Sequence, residues 1–361
     1  MKKHDSAHHS MIRALIERIK TLPVPGEGVT FMEVCGTHTM EIARAGLKKM
    51  LPPHIRLTSG PGCPVCVTPI SYVDKAIALC REKNCVVTTF GDMFRVPGTA
   101  SCLERERARG ADIRIVYSPI ESARVARDNP GKRVVFLSVG FETTTPGIAA
   151  TILHAGDAEI RNLFFLCANK TVPHAMDALL AGGKAALDGF LCPGHVSAIT
   201  GSLPYRAIAA RHNVPCVVAG FEPIDVVRAI AMLLVQTAEG RHDVEIEYDR
   251  VVRPEGNRKA RDIAERVFEP ADAEWRGIGT IPGSGLRLRG SFACVDAEQV
   301  FDLSHVVSRE PRGCRCGEIL AGAILPPACR LFGKKCTPEH PVGACMVSSE
   351  GTCAAYYTYE Q

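Results

Sequence analysis

The stretch Val29-Thr-Phe-Met-Glu-Val34 is a mostly apolar run that leads directly into Cys35-Gly-Thr-His-Thr39. A run of this length and composition predicts a buried strand, and a helix-compatible sequence begins near Thr39. Similar short runs recur to about residue 238, most of them followed by helix-compatible sequence. The eight predicted strands are Val29–Val34, Ile55–Thr58, Val86–Phe90, Ile113–Tyr117, Val134–Val139, Leu163–Cys167, Gly189–Cys192 and Cys216–Ala219. This alternation predicts an α/β fold with parallel sheets covered on both faces.

Eight such strands can close a barrel or form two open sheets, and we favour two similar open parallel-sheet α/β domains. The charged stretch Ser118–Pro130 separates a first domain, 22–120, from a second domain, 121–240. A weak internal repeat supports a duplication, because the segment Val139-Gly-Phe-Glu142 is similar to Ala219-Gly-Phe-Glu222.

The two ends of the chain differ from this alternating part. Residues 1–21 contain a predicted helix, Ser10–Lys20, that can pack on any of the other units. Residues 241–361 are Arg-rich and then rich in Gly, Pro and Cys, with one predicted helix at Gly256–Phe268. A small third domain of this composition needs something other than a hydrophobic core to hold it, and a metal site is the natural candidate.

Composition excludes several classes of protein. The net charge is +4, and the 43 basic residues are scattered along the sequence. This pattern does not predict the basic patch that binds nucleic acid. The longest apolar stretch, Val226 to Val235, contains Arg228 and is too short to span a membrane. The first ten residues are polar and do not resemble a signal peptide. We therefore expect a cytoplasmic protein.

Cysteine is the most informative residue type, with sixteen in the chain. Cytoplasmic thiols stay reduced, so a disulfide framework is not expected. Five cysteines lie in or beside apolar runs and are interpreted as small buried residues: Cys80, Cys85, Cys167, Cys216 and Cys294. For Cys102 and Cys192, the sequence does not decide between a buried structural residue and a functional one. The other nine lie in Gly/Pro-rich or polar loops, where packing does not explain them.

Cys35 follows the first predicted strand, and a helix begins shortly after it. The positive end of a helix dipole favours the thiolate form, so we expect a lowered thiol pKa. His38 lies three residues on and could be a second ligand or a proton acceptor. A buried strand-end cysteine with an incidental histidine is an equally weighted alternative.

Cys63-Pro-Val-Cys66 follows Gly60-Pro-Gly62 and precedes a helix. This arrangement favours a redox dithiol, in which one cysteine closes a disulfide on the other. Half of a zinc site is the rival interpretation, with Cys314-Arg-Cys316 as the other half.

The tail carries six cysteines within 40 residues: Cys314, Cys316, Cys329, Cys336, Cys345 and Cys353. The spacing fits neither the usual zinc pairs nor the bacterial ferredoxin pattern. Several thiolates in a loop-rich segment nevertheless suit a soft metal, either zinc or an iron–sulfur cluster. The spacing does not choose between them.

Other polar residues also follow predicted strands, among them Asp92, Glu142, His195 and Glu222. Each alone is more often a turn former, a capping residue or a satisfied polar group. In parallel sheets, however, the loops at the carboxyl ends of strands line the binding crevice, so these loops should face one cleft or interface. No glycine-rich dinucleotide or phosphate-binding motif is present in the sequence, and nucleotide binding is not indicated.

Taken together, the motifs resemble the HypD family of hydrogenase maturation proteins over nearly the whole chain. The matching segments are Cys35-Gly-Thr-His-Thr39, Gly60-Pro-Gly-Cys-Pro-Val-Cys66, Gly91-Asp-Met-Phe-Arg-Val-Pro-Gly98, Gly140-Phe-Glu-Thr-Thr144, Pro193-Gly-His-Val-Ser197, Cys329-Arg-Leu-Phe-Gly-Lys-Lys-Cys336 and Cys345-Met-Val-Ser-Ser-Glu-Gly-Thr-Cys353. The resemblance implies two α/β domains and a small iron–sulfur domain that carries a [4Fe–4S] cluster. Its cluster ligands here would be Cys329, Cys336, Cys345 and Cys353.

The resemblance also implies partners and a task. The family works with HypC, and the iron between them receives two cyanides and one carbonyl; HypE, loaded by HypF, delivers the cyanide. Carried over, Cys35 would bind that iron, and Cys63 and Cys66 would exchange electrons with the cluster. His38, Asp92, His195 and Glu350 lie in family motifs and are further site candidates without assigned roles.

Two other functions stay open from the sequence. One is a cluster-dependent disulfide reductase that acts on a protein partner, with no iron at Cys35. The other is a zinc-stabilised interaction scaffold without redox chemistry. Whether the chain is an enzyme in its own right, rather than an assembly scaffold with redox activity, also stays open.

Overall fold

The computed structural model describes residues 2–183 and 186–360. All eight predicted strands are present, each end within two residues of its predicted position, and four further strands accompany them. In chain order the strands are β1 (Val29–Glu33), β2 (Ile55–Ser59), β3 (Cys85–Thr89), β4 (Asp112–Ile115), β5 (Arg133–Ser138), β6 (Leu163–Cys167), β7 (Asn169–Lys170), β8 (Gly189–Pro193), β9 (Cys216–Ala219), β10 (Val244–Ile246), β11 (Phe268–Trp275) and β12 (Gly279–Leu288).

The described strands form two parallel sheets and one antiparallel sheet. Sheet 1 has the order β10-β9-β8-β1-β2, and sheet 2 has the order β4-β3-β5-β6. Sheet 3 has the order β11-β12-β7, with antiparallel pairing. The predicted α/β class with two open parallel sheets is therefore confirmed.

The pairing groups the strands differently from a simple division of the chain into consecutive halves. The chain leaves sheet 1 after β2, builds the whole of sheet 2, and returns to sheet 1 with β8. The stretch Ser118–Pro130, predicted as a boundary, lies between β4 and β5, which belong to the same sheet, and most of it is a helix. Local sequence patterns predict strands but not their partners, and the partners here are far apart in the chain.

Helices connect the strands and cover the sheets. They are α1 (Lys2–Thr21), α2 (Gly36–Arg44), α3 (Leu47–Met50), α4 (Pro64–Val67), α5 (Ile70–Cys80), α6 (Leu103–Ala108), α7 (Pro119–Asp128), α8 (Thr145–Asp157), α9 (Val172–Ala181), α10 (Gly194–Thr200), α11 (Leu203–His212), α12 (Pro223–Glu239), α13 (Arg258–Val267), α14 (Ala297–Val300), α15 (Cys316–Leu320) and α16 (Thr352–Tyr359). The predicted helices at Ser10–Lys20 and Gly256–Phe268 correspond to α1 and α13. Among the described residues, no helix is long and apolar enough to cross a membrane.

Three hydrophobic cores explain how the parts hold together. Helices α1, α2 and α12 cover one face of sheet 1, and helices α7 and α8 with sheet 3 cover one face of sheet 2. The third and largest core is shared by the two parallel sheets and the cysteine-rich tail, which contributes Ile319, Leu320 and Met346. The expectation that the tail lacks a hydrophobic core is therefore wrong. Its apolar residues form short groups separated by Gly, Pro and polar residues, so they show no sustained periodicity, yet they pack on the sheets.

Candidate functional site

Cys35 lies at the point where strand order reverses in sheet 1. Strands β8, β9 and β10 run to one side and β1 and β2 to the other, so the carboxyl ends of β1 and β8 flank a crevice. In open α/β sheets this is where ligands bind. Cys35 directly precedes α2 and follows β1 by one residue, and His195 lies just after β8 in the first turn of α10.

The loop after β2 is tied to the loop that carries Cys35. The Gly36 N–H donates to the Gly62 carbonyl (3.0 Å), and the Gly60 N–H donates to the Glu33 carbonyl (2.7 Å). A Cβ at Gly62 would lie 2.2 Å from the Cys35 nitrogen, so only glycine permits this approach. The loop that contains Cys63 is therefore held against Cys35 by backbone contacts alone.

Cys35 lines a cavity of about 420 Å³ between the two parallel sheets. Sheet 2 contributes the loop after β5, and the tail contributes Glu350. The lining residues that carry the argument are Cys35, Thr37, Phe141, Thr144, His195 and Glu350. The predicted convergence of strand-end loops on one cleft is thus seen for the loops after β1, β2, β5 and β8.

Glu350 reaches this cavity from the far end of the chain. The Thr37 hydroxyl donates to Glu350 Oε1 (2.7 Å). A Cβ at Gly36 would lie 2.6 Å from the Glu350 Cβ, so glycine is again required for the contact. A carboxylate and the exposed imidazole of His195 therefore share the cavity with the Cys35 thiol.

Burial determines the protonation of the groups around Cys35. Burial raises the pKa of the Cys35 thiol to about 12, and the backbone N–H of His38 at the start of α2 only partly opposes this. The expected lowering of the Cys35 pKa by the helix dipole is thus outweighed, because desolvation destabilises the thiolate by more than one helix N-terminus stabilises it. Burial also raises the pKa of Glu33 to about 7.

Glu33 is a functional candidate that the motifs did not single out. Its side chain accepts the Cys35 N–H (3.1 Å) and the Thr39 hydroxyl (2.5 Å), and so fixes the loop behind the thiol. The signal in the sequence is a carboxylate inside an otherwise apolar strand, a position that requires hydrogen-bond partners when it is buried.

His38 does not line the cavity and is fully buried under it. Its Nε2 is 2.8 Å from the Gly220 carbonyl, whereas its Nδ1 has no hydrogen-bond partner. Burial lowers the pKa of His38 to about 4, so the ring is neutral at physiological pH. The ring of Phe221 packs against both His38 and His195, with centroid distances of 4.9 and 3.8 Å. His38 thus supports the cavity from behind, between α2 and the loop after β9.

The Cys63–Cys66 pair lies between the cavity and the tail. Cys63 caps the short helix α4, and its Sγ accepts the Cys66 N–H (3.4 Å). Burial raises the pKa of the Cys66 thiol well above its usual range, and Cys63, Cys345 and Cys353 act in the same direction. The structure therefore brings the dithiol next to two of the four predicted cluster ligands.

The tail thiols form a chain of close contacts. Cys345 Sγ lies 3.2 Å from Cys353 Sγ, and the Cys316 thiol is within hydrogen-bonding reach of Cys345 and of Cys314. Cys336 Sγ accepts the Val342 N–H (3.3 Å). A Cβ at the next residue, Gly343, would lie 2.7 Å from Cys314 Sγ.

These contacts bear on which group the tail can hold. Within the described ranges, no three His, Cys, Asp or Glu side chains are gathered closely enough for a single metal ion. A four-iron cluster does not need its ligands gathered around one ion, because each of its thiolates binds a different iron. The thiols of Cys329, Cys336, Cys345 and Cys353 are buried and free of disulfides, and soft donors of this kind fit such a cluster.

Asp92 lies outside the cavity, at the surface, where it anchors the tail. The Ser348 hydroxyl donates to Asp92 Oδ2 (3.1 Å), and Ser348 is two residues before Glu350. Asp92 therefore holds the segment that carries Glu350.

Glu142, by contrast, is buried beside the cavity, and its Oε1 accepts the Val172 N–H (3.1 Å) at the start of α9.

Comparisons with known proteins agree with this arrangement. Residues 10–360 match the HypD family model, described as the hydrogenase formation hypA family. A hydrogenase maturation factor HypD2 of Bradyrhizobium diazoefficiens is 45% identical, covering 96% of this chain and 93% of the relative. The hydrogenase maturation factor HypD of Cupriavidus necator is 45% identical over 93% and 90% of the two chains. A putative hydrogenase expression/formation protein of Methanocaldococcus jannaschii is 42% identical, with 98% of each chain covered. The chain therefore belongs to the HypD family of hydrogenase maturation factors.

Proposed function

We propose that this chain is an iron–sulfur scaffold on which, together with HypC, the Fe(CN)2CO group of [NiFe]-hydrogenases is assembled in the cytoplasm. The observation that supports this most strongly is the order of its thiols. Cys35 lines the cavity, Cys63 and Cys66 follow directly behind it, and Cys345 and Cys353 adjoin Cys66. Such an order suits a cargo site backed by a path for electrons.

Cys35 is the residue that would hold the iron cargo, together with a thiolate of HypC. Soft thiolates suit low-spin iron with strong-field ligands. Because burial keeps the free thiol protonated, binding of the metal must displace the proton. The exposed His195 and the half-buried Glu350 stand at the same cavity as groups that can accept it.

Cys63 and Cys66 would supply the electrons for cyanide delivery by HypE. Release of a cyano group from a carrier as metal cyanide takes up two electrons, and a dithiol that closes to a disulfide gives up two. A [4Fe–4S] cluster, held by Cys329, Cys336, Cys345 and Cys353, would supply one-electron transfer to this pair when bound. Helix α4, which carries Cys66, packs against the turn Ala344–Met346, which carries Cys345, and this packing supports a short path for the exchange.

The test is the infrared spectrum of the anaerobic complex with HypC, compared between the wild type and Cys35→Ser. Serine keeps the shape of the side chain but replaces a soft donor by a hard, poorly ionised one. We expect the wild-type complex to contain iron beyond the cluster and to show cyanide and carbonyl bands. The Cys35→Ser complex should lose both while its fold and cluster persist. The matched control is Cys294→Ser, which should behave like the wild type. The interpretation of Cys294 as a buried residue is wrong, because it is exposed, in the 3₁₀ turn Gly290–Val295.

A serine variant that matured hydrogenase at the normal rate would remove Cys35 from the role of ligand. The contact between the Cys63–Cys66 pair and the tail thiols also favours a second function, a cluster-dependent disulfide reductase. A brown complex that reduces a partner disulfide but never shows cyanide or carbonyl bands would favour the reductase. A colourless protein with stoichiometric zinc would instead support the interaction scaffold.

A further inference from the structure

Arg276 is a buried cation beside the cysteine-rich tail that the known motifs do not include. It follows β11, and its side chain is 0% exposed. Its guanidinium Nη2 donates to the Pro97 carbonyl at 3.5 Å, while Nη1 and Nε have no hydrogen-bond partner. The nearest carboxylate is that of Glu310, 3.5 Å from Nε, and this side chain is 49% exposed.

The backbone places Arg276 against two tail cysteines. The next residue, Gly277, packs on Gly317: a Cβ at Gly317 would lie 2.3 Å from the Gly277 carbonyl oxygen. The Arg276 N–H donates to the Val67 carbonyl (2.9 Å), at the end of the dithiol helix α4. Arg276 is close enough to act electrostatically on the thiols of both Cys314 and Cys316. It therefore stands where the dithiol helix and the tail meet.

A buried guanidinium that lacks a full set of partners is costly. Arginine stays protonated in proteins, and an unpaired buried charge is among the most destabilising features of a fold. Glu310 compensates only weakly, because its carboxylate is half in water, where solvent screens the attraction. On the buried side, the backbone contact of Gly277 with Gly317 places Arg276 beside the segment that carries Cys316.

We propose that Arg276 is the counter-charge of the cysteine-rich site and raises the reduction potential of the cluster that the site would hold. This inference rests on the proposed function. When the cluster accepts one electron from a reductant, its net charge falls by one, and no bond or proton is gained. A fixed cation nearby stabilises the more negative state. A higher potential makes the cluster easier to reduce, and the difference between its potential and that of the dithiol determines how electrons distribute between them.

The test is a redox titration of the anaerobic full-length chain, followed by the visible and electron paramagnetic resonance signals of the cluster. Arg276→Gln removes the charge, and its midpoint potential should shift to a more negative value. Arg276→Lys retains the charge and should stay near the wild-type potential. Glu310→Gln removes the opposing carboxylate at a half-exposed position that tolerates change, and its potential should shift the other way.

Arg95 provides the matched control. Its guanidinium also donates to tail carbonyls, those of Pro338 and Glu339, but its side chain is 40% exposed. Arg95→Gln should leave the midpoint potential unchanged. A purely structural role for Arg276 predicts lost cluster in both Arg276 variants and no shift for Glu310→Gln, and that result would overturn the inference. Equal potentials in all variants would overturn it as well. A wild-type chain that binds no iron–sulfur cluster would overturn the proposed function together with this inference.

Discussion

The loop that carries Cys35 and the tail that carries Cys345 differ in how their thiols are positioned. Cys35 stands between a strand and a helix, and two backbone hydrogen bonds tie its loop to the loop after β2. In the tail, Cys345 lies in the 3₁₀ turn Ala344–Met346 and Cys353 in the first turn of α16, and their Sγ atoms are 3.2 Å apart. The first thiol is therefore positioned by the sheet itself. The tail thiols are positioned by packing and by whatever group they share.

This contrast indicates a division of labour. In the proposed function, the cargo site at Cys35 has to keep its position before and after the cargo leaves, and a sheet edge with glycine contacts provides that. A resident cluster stays, so its ligands can depend on it for their final arrangement. The contrast is open to experiment at single residues, because each site has a matched position elsewhere in the chain.

The largest effect is expected from loss of a tail thiol. Cys345→Ala or Cys353→Ala should abolish the brown colour and the bound iron and sulfide, because each removes a proposed cluster ligand. Each should also lower the free energy of unfolding by about 1–3 kcal/mol through lost packing. Iron and sulfide analysis after anaerobic purification measures the first effect, and chemical denaturation measures the second.

Cys192→Ala is the matched control for the tail variants. Cys192 is fully buried in β8, so its loss costs similar packing and should leave the colour intact. Colour that survives any single tail substitution removes that residue from the ligand set. Cys314 and Cys316, which contact the same thiols, are then the replacements to test.

A smaller effect is expected from a methyl group at the sheet edge. Gly62→Ala places a Cβ against the backbone of Cys35 and Val34 and should lower the free energy of unfolding by about 1–3 kcal/mol. The extra iron of the HypC complex should be lost, whereas the tail cluster should remain. The control is Gly147→Ala in α8, where the new methyl group meets no atom within 4 Å. That variant should gain up to about 1 kcal/mol from helix propensity. Normal iron loading by Gly62→Ala would contradict the view that the sheet edge positions Cys35.

The smallest effect concerns the pH dependence of stability. Burial raises the pKa of Glu142 from 4.5 to about 7, so the folded state prefers the neutral carboxyl. Its stabilising contribution is complete below pH 4.5 and is lost as the pH rises to about 7. Glu142→Gln cannot titrate, so its free energy of unfolding relative to wild type should increase between pH 4.5 and 7.

Chemical denaturation at pH 5 and pH 8 measures this difference. Glu222→Gln is the matched control for the loss of a carboxylate, because Glu222 occupies the equivalent place in the second Gly-Phe-Glu motif and is exposed. A difference between Glu142→Gln and wild type that stays constant with pH would show that Glu142 is ionised throughout.

Local sequence patterns predicted a large part of this fold and of the candidate site, and the failures have physical causes. The eight predicted strands of the parallel sheets are short runs of β-branched or other apolar residues, which are recognisable one at a time, whereas the three-residue β10 was missed. The hairpin of β11 and β12 was missed because it contains Pro270, Gly283 and Gly285, residues that disfavour strands. Pairing with β7 and packing on sheet 2 outweigh that preference, and neither is visible locally.

For the site, residue type and position were predictable, but environment was not. Cys35, His195 and Glu350 were predicted from motifs and meet at one cavity. His38 was predicted among them and lies underneath, because the first turn of α2 directs it towards the loop after β9. Arg276 carried no signal, since its importance comes from burial and from a glycine contact with the tail.

The strands of sheet 2 lie in the chain between β2 and β8 of sheet 1, and this order affects biosynthesis. The ribosome makes Cys35, Cys63 and Cys66 early, but β8, which pairs with β1 in their sheet, follows more than a hundred residues later, and Glu350 later still. At about 5–20 residues per second, the nascent thiols stay open to oxygen and stray metal ions for many seconds. A chain cut short before the tail has no means to shield them. The topology therefore completes the cavity around Cys35 only after Glu350, which lines it, has been made.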